Sequence, residues 1–279
     1  MKGMVFIKDM HFAYGSTSVF EGIDLTVMPG SVYGILGRNG TGKSTLLYNI
    51  AGLLNPQFGS VEVLGFNPAD RNPDFLQRIF MIPEEFYLPD VSINSLIRHY
   101  GRFYVQFNEE RFRHFLALFE IPDHTLLKMS YGQKKKVLIS FALACQVSLL
   151  LMDEPTNGLD IISKNQLRRA IVESLDDNTT IMISSHQVQD LSNLVDHIII
   201  LDNTRIVLHR SIEEIGRKLA FKISPDLEEA NAAFFKEPVI GGNILITVND
   251  GETESNVDLE TLYKATMTNP EAIQYALND

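Results

Sequence analysis

Gly37-Arg38-Asn39-Gly40-Thr41-Gly42-Lys43-Ser44-Thr45 is the stretch that decides how this 279-residue chain folds. It fits the pattern G-x-x-x-x-G-K-[ST], and its flanks suit it. Ser31-Val32-Tyr33-Gly34-Ile35-Leu36 reads as a short buried strand, and Thr45-Leu46-Leu47-Tyr48-Asn49-Ile50-Ala51 as a helix that stops at Gly52. Glycines let backbone N–H groups turn inward around an anion, and the helix N-terminus adds its positive end. Such a loop cradles nucleotide phosphates, with Lys43 reaching the terminal ones and the Ser44 hydroxyl taking one position on Mg²⁺. A glycine-rich turn that binds nothing is the competing reading, and the strand before and helix after weigh against it.

Outward from this loop, the continuous apolar runs Leu149-Leu150-Leu151-Met152 and Ile181-Met182-Ile183 look like parallel strands buried on both faces. Residues 1–36 alternate apolar and polar around turns at Tyr14-Gly15-Ser16 and Met28-Pro29-Gly30, which predicts a small antiparallel sheet. From about Phe86 to Lys135 the texture changes to aromatic-rich amphipathic segments, such as Arg111-Phe112-Arg113-His114-Phe115-Leu116, expected as an inserted helical subdomain. Ile198-Ile199-Ile200-Leu201, a turn at Asp202-Asn203, and Arg205-Ile206-Val207-Leu208 predict a closing hairpin. The fold class is therefore α/β: a P-loop core with a parallel sheet, an N-terminal antiparallel β-subdomain and a helical insert, filling residues 1–220. Residues 221–279 form a C-terminal accessory segment, expected to hold one strand (Ile244–Val248) and a helical end (Leu259–Leu277).

The apolar strand from Leu149 ends in Asp153 and Glu154, about 110 residues after Lys43. At the C-terminal edge of a parallel sheet both would face the loop. Asp153 would hold Mg²⁺ through a water, and Glu154 could polarise a water toward the γ-phosphate. Alone, such a pair is weak, since solvated acids at strand ends are common. The next strand ends Ser184-Ser185-His186; a lone histidine is usually just a satisfied polar residue, but here it closes the neighbouring strand at the same edge. Met129-Ser130-Tyr131-Gly132-Gln133-Lys134-Lys135-Lys136 opens another helix, with Ser130 placed to cap it and free N–H groups in its first turn. Three lysines at a helix's positive end are locally unfavourable and fit better beside a phosphate, a solvated surface run being the alternative.

With these motifs in order, the chain resembles the ATP-binding-cassette (ABC) family over about residues 3–220. The resemblance implies ATP and Mg²⁺ as cofactors and ATP hydrolysis as the activity, with Glu154, His186 and Lys43 carrying the chemistry. It implies that Ser130, Gly132 and Gln133, in the family's signature element, contact the γ-phosphate held by a second copy. Gly158-Leu159-Asp160 corresponds to the loop that meets that copy, and Tyr14 to the aromatic that stacks on adenine. Packing within the small sheet is the plain reading of Tyr14. Two positions depart from the family pattern. The signature usually reads Leu-Ser-Gly-Gly-Gln, against Met129 and Tyr131 here. After Met81-Ile82-Pro83, where a glutamine often contacts Mg²⁺, this chain has Glu84, then Glu85. A carboxylate remains a good Mg²⁺ ligand but adds negative charge beside the phosphates.

Composition bounds the partners. From Ser211 to Asp279 there are 13 acidic and 5 basic residues within a whole-chain net charge of −11, so nonspecific nucleic-acid binding is not expected. Cys145 is the only cysteine, which excludes an intrachain disulfide and predicts a small core residue. The longest apolar run, Val137 to Met152, is broken by Ser140, Gln146 and Ser148, and the N-terminus has no secretory signature. The expectation is a cytoplasmic protein held at the inner face of the membrane by a separate transmembrane permease. The permease's coupling helix would dock near Glu84 to Ser95, and the Pro-Glu-Glu stretch and aromatic signature look like the export branch. Open alternatives are a cassette acting on ribosomes or DNA, and one that binds ATP without hydrolysing it.

Overall fold

In the computed structural model, residues 3–122, 125–249, 251 and 255–278 are described. A long antiparallel pair opens the chain, β1 (Val5–Tyr14) and β2 (Thr17–Val27), followed by β3 (Val32–Leu36) and α1 (Lys43–Ile50). Then come β4 (Phe58–Val63), α2 (Pro73–Leu76), β5 (Ile79–Ile82), α3 (Ile93–Tyr100), α4 (Glu109–Leu118) and α5 (Tyr131–Ala144). The second half of the body is β6 (Leu149–Asp153), α6 (Ile161–Ser174), β7 (Thr180–Ser185), α7 (Val188–Leu191), β8 (His197–Asp202), β9 (Arg205–Ser211) and α8 (Ile212–Lys218). The chain closes with β10 (Leu219–Ser224), α9 (Leu227–Ala232), β11 (Phe235–Val239), β12 (Gly242–Val248), α10 (Leu259–Thr268) and α11 (Pro270–Asn278).

The central sheet runs β5-β6-β7-β3-β8-β9, parallel except for the last strand, which returns as the expected hairpin. Its inner strands β3, β6, β7 and β8 have apolar, buried middles because both faces are covered, whereas the edge strand β9 carries Arg205, His209 and Arg210. Tyr33 and Ile35 of β3 join the core beneath α1 and the N-terminal sheet, while Val32 and Leu36 face the core shared with α5 and α6. The N-terminal sheet is β2-β1-β4, so the expectation for residues 1–36 needs one amendment: β3 leaves that sheet for the central one, and β4 replaces it. The parallel topology brings the ends of β3, β5, β6 and β7 to a single edge, where open α/β sheets bind ligands.

Between β5 and β6 lie α3, α4 and α5, the last running on to Ala144, past the expected end of the insert near Lys135. Phe107, Phe112 and Phe141 form a ring cluster that fastens α4 to α5. Beyond residue 218 the chain is richer in strands than the sequence suggests. β10 and β11 flank β12 in an antiparallel sheet, and the helical end is split at a non-helical Asn269 ahead of Pro270. Leu262, Ala265 and Ile273 of this segment share the core that also holds Leu191 of α7.

At the N-terminal end of β8, His197 stacks on Tyr33 (ring centroids 4.5 Å apart), with His209 of β9 adjacent. Burial, with smaller contributions from His197 and Arg210, pulls the His209 imidazole down to about 4. Above its ordinary value of 6.5 neither state is protonated and the contribution to stability is complete; as pH falls toward 4 the unfolded chain takes up the proton first and that contribution is lost. Lowering pH from 7 to 4.5 should cost about 2 kcal/mol through this residue. His209→Gln should flatten that slope in urea denaturation at the two pH values, and equal slopes would count against the assignment.

Candidate functional site

The loop between β3 and α1 closes tightly for steric reasons. Gly42, the α1 N-cap, has φ 98°, and a Cβ there would stand 2.7 Å from the Phe20 ring. A Cβ on Gly37 would meet Thr41 Oγ1 at 2.4 Å and the Leu201 carbonyl at 2.8 Å. Lys43, the first residue of α1, is buried; its ammonium donates to the Gly37 and Arg38 carbonyls at 2.9 and 3.3 Å and lies 3.7 Å from Glu154 Oε1.

Glu154 is 4% exposed with its backbone at φ 46°, a region a non-glycine residue occupies only when its surroundings enforce it. Those surroundings are identifiable. Its N–H donates to Ser184 Oγ at 3.0 Å, and its carbonyl accepts from Lys135 Nζ at 2.8 Å. Its carboxylate sits between Lys43 and His186, whose Nδ1 is 2.9 Å from Oε2. A proton on Nδ1 donates to that carboxylate and leaves Nε2 as the other ring acceptor. Asp153 is buried beside it, with Oδ1 accepting from Ser184 Oγ at 2.5 Å.

Tyr14, Asn39, Gly40, Gly42, Lys43, Ser44, Thr45, Glu84, Glu154 and His186 meet around one cavity of about 590 Å³, within the range of small-molecule sites. Tyr14 stands at its rim, edge-on to Phe12 and 3.4 Å from Thr45 Oγ1 through its hydroxyl. Gly37, Arg38, Thr41 and Asp153 do not line the cavity. Neither do Ser130, Gly132 and Gln133, which form the first turn of α5. There Ser130 Oγ accepts from the Gln133 N–H and Gln133 Oε1 from the Ser130 N–H, a complete capping box.

Among the described residues no group of three or more His, Cys, Asp or Glu side chains could hold a metal alone. A few hard oxygens, those of Ser44, Glu84 and Asp153, suit an ion that retains waters and takes phosphate oxygens, as Mg²⁺ does.

Three features of the site escaped the sequence reading. Asn157 donates to Glu84 Oε1 at 2.8 Å and lines the cavity. Ser184 serves both Asp153 and Glu154. Lys135, expected beside a phosphate, is 1% exposed and spends its ammonium on the carbonyls of Glu154 and Asn157. Desolvation lowers its pKa, opposed by Glu84, Glu154 and Asp153. The polar run Thr156-Asn157-Gly158, one proline after the paired acids, was the available signal for Asn157; nothing local marks Lys135 out from Lys134 and Lys136.

Residues 20–157 match the family model described as ABC transporter. The chain is 30% identical over 240 residues to the bacitracin transport ATP-binding protein BcrA of Bacillus licheniformis, covering 84% of this chain and 78% of that one. It belongs to the ABC transporter ATP-binding proteins. It is also 31% identical over 222 residues to the aliphatic sulfonates import ATP-binding protein SsuB of Corynebacterium glutamicum (77% of this chain, 87% of that one). A solved ATP-binding subunit of an ABC transporter superposes with TM-score 0.68 at 26% identity, covering 77% of this chain and 92% of that one. As an ABC protein this chain has the P-loop core that its sheet order displays. No helix among the described residues is long and apolar enough to cross a membrane.

Proposed function

We propose that this chain is an ATP-hydrolysing motor subunit that works as a pair of copies and drives export through a separate transmembrane permease at the cytoplasmic face of the membrane. The observation that carries the reading is Glu154, buried between the Lys43 ammonium and the His186 ring at the lip of a phosphate-type loop. In this reading the loop N–H groups and Lys43 take the β- and γ-phosphates and Tyr14 takes the adenine. Ser44 and Glu84, with Asp153 behind them, hold Mg²⁺, which neutralises charge on the phosphate oxygens. Glu154 orients and deprotonates the attacking water, and His186 fixes the Glu154 carboxylate from the far side. Ser130, Gly132 and Gln133 serve the nucleotide of the other copy, in keeping with their place off this chain's own cavity.

Export is supported by Pro83-Glu84-Glu85 and the aromatic signature, which resemble that branch of the family. Docking of a permease near Glu84 to Ser95 is supported by Tyr87, 86% exposed on that segment.

A complementation experiment tests the shared site. Lys43→Ala disables the phosphate loop, and Gly132→Glu places a charge in the signature; each alone should be inactive. Mixed, they form heterodimers in which the intact loop of one chain faces the intact signature of the other, and ATPase activity should return. Continued silence of the mixture, with both variants folded, would sink the paired-site reading.

A further inference from the structure

Tyr131 is the first residue of α5, directly after the Ser130 cap. It is 51% exposed, so its ring is not there to fill a core. Only one face and the tip are engaged. The face stacks on Phe86, with centroids 5.0 Å apart and planes inclined by 30°. The hydroxyl donates to the Glu84 carbonyl at 2.8 Å. A phenol keeps its proton at neutral pH, so the hydroxyl is a donor there.

Glu84 is held from its other end as well. Its carboxylate accepts from Asn157 Nδ2, and the Asn157 carbonyl accepts at 3.0 Å from Lys135, one turn after Tyr131 on the same helix. The connection is closed: α5 to the loop after β5, across to the loop after β6, and back to α5. Tyr131 brings the signature into hydrogen-bond contact with Glu84, and a residue without a donor at that position would leave the Glu84 carbonyl untied.

We propose that Tyr131 is a positioning residue: its hydroxyl couples the placement of α5, and with it Ser130 and Gly132, to the placement of the Glu84 carboxylate at the nucleotide cavity. This rests on reading that cavity as the ATP site. Displacing α5 by more than the reach of a hydrogen bond breaks the tie and frees Glu84 to move, so the chain's own site senses where its signature helix lies.

Tyr131→Phe isolates the hydroxyl, because the ring and its stacking remain. Amide hydrogen exchange of the peptide spanning residues 80–90, measured without nucleotide, should speed up by about fivefold, the order of one net hydrogen bond. The peptide carrying Lys43 and the thermal midpoint should stay as in the wild type. In steady state, kcat should change by about threefold or more while KM for ATP, set at the loop around Lys43, stays within about twofold. Exchange at residues 80–90 indistinguishable from wild type would overturn the proposal. Faster exchange in a protein whose wild type lacks ATPase activity would support the tie and count instead against reading the cavity as a hydrolytic site.

Discussion

Glu154→Gln should lower steady-state ATP turnover by about a thousandfold, the order that a positioned general base contributes. The amide matches the carboxylate in size, so the left-handed backbone at 154, the Ser184 bond to its N–H and the Lys135 bond to its carbonyl are all retained. What goes is the negative charge 3.7 Å from Lys43 and the capacity to take a proton from water; the amide oxygen can still accept from His186 Nδ1. In the proposed function phosphate binding depends on the loop and Lys43, and relieving Lys43 of its buried counter-charge should not weaken it. ATP affinity should therefore stay within about tenfold of wild type, and ATP-dependent dimers should persist longer because nothing hydrolyses the nucleotide that holds them. Turnover by the variant within about fivefold of wild type would remove Glu154 from the chemistry.

Phe112→Ala should cost about 3–5 kcal/mol, a large share of a domain's usual stability. The ring is fully buried and meets Phe141 of α5 edge-on at 5.6 Å and Phe107 at 6.1 Å. Truncation leaves a void that the neighbouring rings cannot fill without leaving their own contacts. The loss falls on the joint between α4 and α5, the helix that presents Ser130 and Gly132. Urea midpoints should drop sharply for Phe112→Ala and scarcely at all for Leu127→Ala, whose side chain is 65% exposed. Matching midpoints for the two variants would contradict this account of the insert.

The elements legible in the sequence were those whose signal is local. The loop 37–45 carries its own strand and helix, the runs at 149–152 and 181–183 are apolar because both sheet faces are covered, and Ser130 reads as the cap of the helix that follows. Apart from Tyr14, Thr17 and Val19 of the N-terminal sheet, the residues ringing the cavity come from four strand ends that only a parallel sheet gathers, and motif order supplied that topology. The C-terminal strands were hidden for a different reason. β10 is buried only at its ends, and β11 is an edge strand whose inward positions include Glu237 and whose run holds Pro238, so neither shows an apolar/polar alternation in the sequence. The break at Asn269, which the reading of Leu259–Leu277 as one helical end passed over, had a signal in Pro270, since the residue before a proline is driven out of the helical region. Lys135 was not. A lysine between two lysines looks solvated, and its partners are backbone carbonyls of residues 154 and 157, which carry no side-chain signature.

That sealed lysine also gives the molecule a chemical reporter. Lys134 and Lys136 are partly open to solvent, whereas the Lys135 amine is closed in by two carbonyls and is inaccessible to an acylating reagent while α5 lies against the loop after β6. Its two neighbours act as internal standards for reagent dose. The ratio of label at 135 to label at 134 and 136 then measures the fraction of time the helix spends lifted from that loop, with no engineered probe in the chain.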